Sequence, residues 1–244
     1  MKKILFSRKT YEELKKELKE GSAKKIINFM NTNDIYEFSS NPSLKKAMND
    51  SKDQREIMVD SASISIILSL KKLKIIKRLT GPSFTDNFLR EKGILEGKKH
   101  FFIGISEEKL DEIFKRYPSL KKENIYGIQH PFIEGYHFSK EFKDKVISKI
   151  NKSKADYVWV GAGCPRQDIL TNEIYKKIYV KTIFNVGAAL EYIQGKRKRA
   201  PRFWRTLGLE WFYRLFSDFH LTKKRIIPCI KGMFLAFFIA DLKK

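Results

Sequence analysis

The chain repeats one move. A short apolar run ends in Gly, Asn, Asp or another turn residue, and a segment of helical length follows before the next run. The runs fall at 24–29, 56–59, 100–103, 124–128, 157–160 and 180–184. Helical patterns fill 11–20, 41–49, 62–73, 107–117, 139–150 and 167–178. Asn41-Pro42 and Ser139 carry the residue types that start helices. Parallel neighbours need a crossover of about a dozen residues or more, usually a helix, so this alternation argues for parallel strands.

The expectation is therefore an α/β fold, a Rossmann-like and mostly parallel sheet flanked by helices. In such sheets, sites gather where strands end and helices begin. The turn residues after each apolar run are then the candidates. Asp60-Ser61 follows one run, Gln129-His130-Pro131 another, and Gly161-Ala162-Gly163-Cys164-Pro165-Arg166-Gln167 a third. The segment 79–83 reads as a turn, and so does 31–34.

After Gly195 the character changes. Lys196 to Pro201 is a basic loop, 202–216 reads as one aromatic helix with Trp204, Trp211, Phe212 and Tyr213, and 220–225 is basic again. Pro228 then heads an apolar helix containing the run 233–240. This divides the chain into a Rossmann-like core, 1–195, and a helical basic appendage, 196–244. The formal charge is +22, and 195–244 holds 13 Lys/Arg against 3 Asp/Glu. The partner is anionic. Cations beside aromatics suit an anionic membrane surface or a nucleic acid. The apolar run has no role on a duplex, which favours lipid; packing back on the core is the alternative.

Cys164 and Cys229 are too few for a disulfide framework or a zinc site and fit a reducing, cytoplasmic setting. The first apolar run, Ile4-Leu5-Phe6, is too short for a signal-peptide core. No stretch offers the roughly 20 apolar residues of a spanning helix.

Two readings stand at each candidate position. Gly161-Ala162-Gly163 is half of a dinucleotide fingerprint or simply a tight turn; Arg166 stands where a third glycine belongs, which counts against NAD. Asp60 is a general base at a strand end or the cap of the helix starting near Ala62. Glu191 carries the same ambiguity. His130 reads as a loop residue, and no His or Cys cluster has metal-ligand spacing.

Several segments together resemble the WecG/TagA/CpsF glycosyltransferases, glycosyltransferase family 26, over residues 26–225. They are Gly187-Ala188-Ala189 through Gly195-Lys196, Arg199-Ala200-Pro201, Leu207-Gly208-Leu209-Glu210-Trp211 and Tyr213-Arg214. Gly163 to Asp168 is similar to the family's G-x-P-[KR]-Q-E segment, and Arg78 to Gly81 to its R-x-T-G segment.

The resemblance implies inverting transfer of an N-acetylhexosamine, often N-acetylmannosamine, from a UDP-sugar. The acceptor it implies is a sugar on polyprenyl diphosphate at the cytoplasmic membrane face, in cell-surface polysaccharide or teichoic acid synthesis. No metal or other cofactor is expected. By motif, Asp60 is the base and Asn31 its companion. Donor contacts fall on Thr80, Gly81, Gly163, Pro165, Arg166, Gln167, Gly187 and Glu191. Arg214, Lys224 and Arg225 are the diphosphate cations.

Three positions depart from the pattern. Ser61 replaces the usual glycine, Phe29 a frequent threonine with Thr32 nearby, and Glu191 an aspartate. A non-catalytic nucleotide-sugar-binding member and a basic nucleic-acid-binding protein are the alternatives. Homo-oligomer formation is left open.

Overall fold

The computed structural model describes residues 3–21, 24–91, 97–206, 208–217 and 219–243; the side chains of Trp211, Arg214, Leu215 and residues 219–222 lie outside that description. In chain order the elements are β1 (Ile4–Phe6), α1 (Tyr11–Glu20), β2 (Lys25–Met30), α2 (Thr32–Ser40), α3 (Pro42–Asp50), β3 (Arg55–Val59), α4 (Ala62–Lys72), α5 (Gly81–Arg90), β4 (His100–Ile103) and α6 (Leu110–Arg116). They continue with β5 (Ile125–Ile128), α7 (Lys140–Ser153), β6 (Tyr157–Val160), α8 (Arg166–Ile174), β7 (Thr182–Asn185), α9 (Ala189–Ile193), α10 (Arg202–Thr206), α11 (Glu210–Ser217), α12 (Phe219–Ile239) and β8 (Ala240–Leu242).

The strands form one sheet in the order β5-β4-β6-β7-β2-β3-β1-β8. All its strand pairings are parallel. Alternate residues along each strand feed opposite faces. One face is aromatic: Phe84 of α5 lies 5.1 Å from Phe29, and Trp159 stacks on Phe184 at 4.3 Å between ring centres. Each such pair adds about 0.5–1.5 kcal/mol beyond simple burial. His100 belongs to this face, with its Nδ1 accepting from Trp159 Nε1 at 3.1 Å. Burial lowers its pKa to about 3, so it stays neutral. The other face carries two aliphatic clusters, one under α7 and α8 and one under α2, α3, α4 and α12.

Several local readings are corrected. Ile4–Phe6, read only as a short apolar run, is a strand held between β3 and β8. The 31–34 turn is the capped start of α2: Asn31 Oδ1 accepts from the Asn33 and Asp34 amides, and Asp34 answers the Asn31 N–H. The 79–83 turn opens α5, with Thr80 as cap and Pro82 in the first turn, where its missing N–H costs nothing. The aromatic helix is two helices, broken at Gly208 in the left-handed region (φ +77°). Pro228 does not head α12 but lies inside it.

The strand at 182–185 is not the last, because β8 follows, and its addition changes how the C-terminal segment reads. Ala236, Ile239 and Ala240 are buried with Ile4, Phe6 and Ile57 in one cluster. The base of the segment set apart as an appendage thus belongs to the core. Among the described residues, no helix is long and apolar enough to cross a membrane.

Candidate active site

Parallel strands deliver all their carboxyl ends to one edge, and five helices begin there: α2, α4, α5, α8 and α9. Their aligned dipoles make that edge attractive to anions, although caps and turn carbonyls already take many of the first-turn N–H groups. Asn31 leaves β2 and Asp60 leaves β3, two strands paired in register from Ile26↔Arg55 to Met30↔Val59. The two residues therefore emerge side by side, and the Asp60 amide donates to the Met30 carbonyl.

Asp60 is not the cap of α4. Ser61 takes that task, its hydroxyl accepting from the Ile64 amide. Asp60 Oδ1 instead accepts the Gly81 N–H at 2.8 Å, from the first turn of α5. Its carboxylate is partly exposed and oriented by a helix N-terminus other than its own.

The glycines bring the other loops in. A Cβ on Gly81 would lie 3.5 Å from the Val186 carbonyl oxygen, so α5 starts against the β7 loop. Gly187, at φ +53°, sits where a Cβ would be 3.9 Å from Gly163 Cα. Gly163, at φ +71°, faces open space. The Gly187 amide, expected beside a diphosphate, is shared between Gln167 Oε1 at 2.9 Å and the Val160 carbonyl. Pro165 and Gln167 are buried, while Arg166 reaches sideways to the Gly135 carbonyl at 3.0 Å. Glu191 is exposed in α9 and pairs with Arg197 at 3.3 Å. Thr80, Gly81, Gly163, Pro165, Gln167 and Gly187 thus share the edge with Asn31 and Asp60, whereas Glu191 and Arg166 turn to neighbouring loops.

Beneath the edge lies a buried polar network that the sequence reading did not identify. The Arg55 guanidinium pairs with Asp168 at 3.1 Å and donates to Asn28 Oδ1 at 2.8 Å. Asp168 also accepts from the side-chain amides of Asn28 and Asn185, and Thr171 donates to Asn185 Oδ1. The network ties α8 to β2, β3 and β7 and so fixes the loop carrying Gly163 to Gln167. The available signal was polar residues inside apolar strands, Asn28 in β2 and Asn185 in β7.

Asp34 was also missed. Burial is the main cause that raises its pKa, to about 7; nearby Asp168 and Asp60 push the same way, while the Asn31 N–H and Arg225 oppose. The Cys164 thiol, close to Asp34, is pushed up mainly by burial. The Thr32 side chain lies beside Cys229 of α12, whose thiol burial pushes up. A Cβ on Gly232 would come within 1.8 Å of the Thr32 carbonyl oxygen, so α12 crosses α2 backbone to backbone. Phe29 itself is buried in the aromatic face.

The C-terminal segment closes one side of this edge. Arg78 donates to the Arg205 carbonyl, and a Cβ on Gly208 would lie 2.5 Å from Ala62 Cβ, two residues beyond Asp60. Arg199 donates to Ser83 Oγ at 3.2 Å and faces Glu210 at 3.8 Å. The Nε atoms of Arg199 and Arg205 are buried without a hydrogen-bond partner among the described residues. Lys224 and Arg225 are exposed on α12; burial raises the Asp34 and Glu37 carboxyls, and Arg225 lies close enough to oppose that rise in both. Arg214 lies in α11, its side chain outside the description.

Among the described residues no three His, Cys, Asp or Glu side chains gather as a metal site would require. The arrangement is a carboxylate set among helix N-termini, with glycine turns beside it and the arginine-bearing C-terminal segment packed against Ala62 and Ser83. The model of the glycosyl transferase WecG/TagA/CpsF family matches residues 3–243, nearly the whole sequence, and the chain belongs to that family of glycosyltransferases of cell-surface polysaccharide synthesis.

Proposed function

We propose that the chain is an inverting hexosyltransferase that moves an N-acetylhexosamine, of the N-acetylmannosamine kind, from a UDP-sugar to a sugar on polyprenyl diphosphate at the inner membrane face. The observation that carries this reading is Asp60: a partly exposed carboxylate, oriented by the Gly81 N–H, at the edge shared by Asn31, Gly163 and Gly187. Asp60 takes the proton of the acceptor hydroxyl as its oxygen attacks the anomeric carbon. The bond to UDP breaks on the opposite face, which inverts the configuration.

Charge develops on the departing diphosphate. The N-termini of α5, α8 and α9 and the cations above the edge offset it; preorganised charge of this kind is usually the largest contribution to such a rate. To the expected Arg214, Lys224 and Arg225 we add Arg199 and Arg205, whose buried Nε–H groups have no acceptor among the described residues. No metal or other cofactor enters this scheme.

The test is a screen of UDP-sugars against a short-chain lipid-diphosphate sugar acceptor, with product mass read by mass spectrometry. Transfer of one N-acetylhexosamine supports the reading. UDP binding by calorimetry without any product would instead make the chain a nucleotide-sugar-binding member that lacks catalysis. Salt-dependent DNA binding with no response to UDP would replace both.

A further inference from the structure

Helix α4 carries two apolar stripes where a surface helix needs one. Ile64, Ile67 and Leu68 are buried against the sheet. Ile66, Leu70 and Leu73 follow one another at i, i+4 and i+7 on the other side, and they are 59%, 64% and 95% exposed. Ile75, just beyond, is 83% exposed. Helix α12 repeats the pattern. Ala236 and Ile239 face the core, while Ile227, Ile230, Phe234, Phe237 and Phe238 are exposed. The helices are joined: Lys71 Nζ donates to the carbonyls of Phe237 (3.1 Å) and Ala240 (2.6 Å), and Lys72 pairs with Asp241 at 2.6 Å. The two outward stripes therefore lie on adjacent helices.

Charge decides what meets them. Residues 62–79 contain five Lys/Arg and no Asp/Glu, and residues 219–240 contain four and none. A second copy of the chain would set these cations against one another, with neighbouring Asp241 already paired to Lys72 and Lys3. A duplex would leave the isoleucine, leucine and phenylalanine side chains in water. An anionic bilayer takes both, with apolar side chains among the acyl chains and lysines at the headgroups.

We infer that α4 and the C-terminal half of α12 form one face that docks on an anionic lipid bilayer, with Lys74 and Lys77 at headgroup level. The inference rests on the proposed membrane-held acceptor and extends it: a helix of the core, not only the C-terminal segment, anchors the protein. Because α4 begins two residues after Asp60, the docked face and the edge bearing Asp60 share one helix.

The test uses the full chain with Leu70→Gln, Leu73→Gln and Ile75→Gln combined. Co-sedimentation is measured with vesicles of phosphatidylglycerol and phosphatidylcholine, and with phosphatidylcholine alone. The unaltered chain is expected to bind the anionic vesicles selectively. The triple variant is expected to lose about tenfold or more in partition coefficient, since each side chain gives up apolar transfer. Its melting temperature should be unchanged, because all three positions are exposed.

Equal partitioning of variant and unaltered chain overturns the inference. So does an unaltered chain that ignores anionic vesicles. Sedimentation equilibrium without lipid showing a dimer that the variant loses would reassign the face to self-association. Transfer by the unaltered chain, read in the UDP-sugar screen, is independent of all three. A silent screen with α4-dependent vesicle binding removes the reaction and keeps the face; the converse removes the face alone.

Discussion

The two ends of the sheet differ in a way that volume alone would misjudge. Cavities of about 510 Å3 and 380 Å3 lie at the end where strands begin, lined by Lys24, Lys154, Lys176 and Lys181 among others. Yet several charges there are answered. Lys24 donates to the Tyr175 and Ile178 carbonyls, and Lys98 and Lys181 face Asp156 at 3.3 Å and 3.8 Å. These are cations settled near helix C-termini, as the helix dipole favours. The carboxyl end gathers five helix starts, four glycine approaches and Asp60. On the proposed reading, direction of the backbone, not size of the void, marks the reactive end.

The sharpest way to break this contrast is Asp60→Asn. Transfer should fall by about two to four orders of magnitude, with UDP affinity by calorimetry held. A rate like that of the unaltered chain would move the chemistry elsewhere. Next comes Arg55→Ala, which leaves Asp168 buried without its cation beneath the carboxyl end. Urea unfolding should show a loss of about 3–5 kcal/mol. A loss below about 1 kcal/mol would mean that the network does not hold the loop of α8 in place.

Asp34→Asn probes the carboxyl end by pH. In the folded chain Asp34 keeps its proton up to about pH 7. In the unfolded chain an aspartate loses it near about pH 4. Between these values the folded state binds the extra proton, so this contribution is complete below the lower value and disappears as pH rises towards the upper one. The variant lacks that decline. Its stability relative to the parent should therefore increase from pH 4 to pH 7, by on the order of a few kcal/mol in denaturant titrations. A flat difference would place Asp34 in a far wetter setting.

The smallest effect is expected at the opposite end. Lys154→Gln with Lys176→Gln should shift stability by no more than about 0.5 kcal/mol and leave transfer unaltered. Reduced UDP binding in that variant would reverse the assignment of the two ends.

Much of this was legible because strand-to-helix junctions advertise themselves. The runs at 56–59, 100–103 and 157–160 fall inside or on β3, β4 and β6, and Asp60, Gly163 and Gly187 follow such runs. What was hidden had a physical reason. Gly81-Pro82 reads as a turn unless Thr80 is seen as a cap, and Asn31 to Asp34 reads as a turn unless the reciprocal cap is seen. Asp60 and Ser61 are neighbours with the same capping chemistry, so sequence could not apportion their tasks; the distant Gly81 amide did. The Arg55–Asp168 pair joins residues 113 apart, a spacing with no local signature.

The meeting of β1 with β8 has a kinetic consequence. Ile4 pairs with Ala240 and Phe6 with Leu242, contacts that close nearly the longest loop the sequence allows. Their opposite neighbour, β3, registers with β1 through Phe6 and Ile57. Loop-closure entropy makes such a seam the slowest to form, and edge strands are the readiest to fray. Deuterium uptake at the Ile4–Phe6 amides is thus a gauge of how firmly α12 is seated, readable without substrate, lipid or any change of residue.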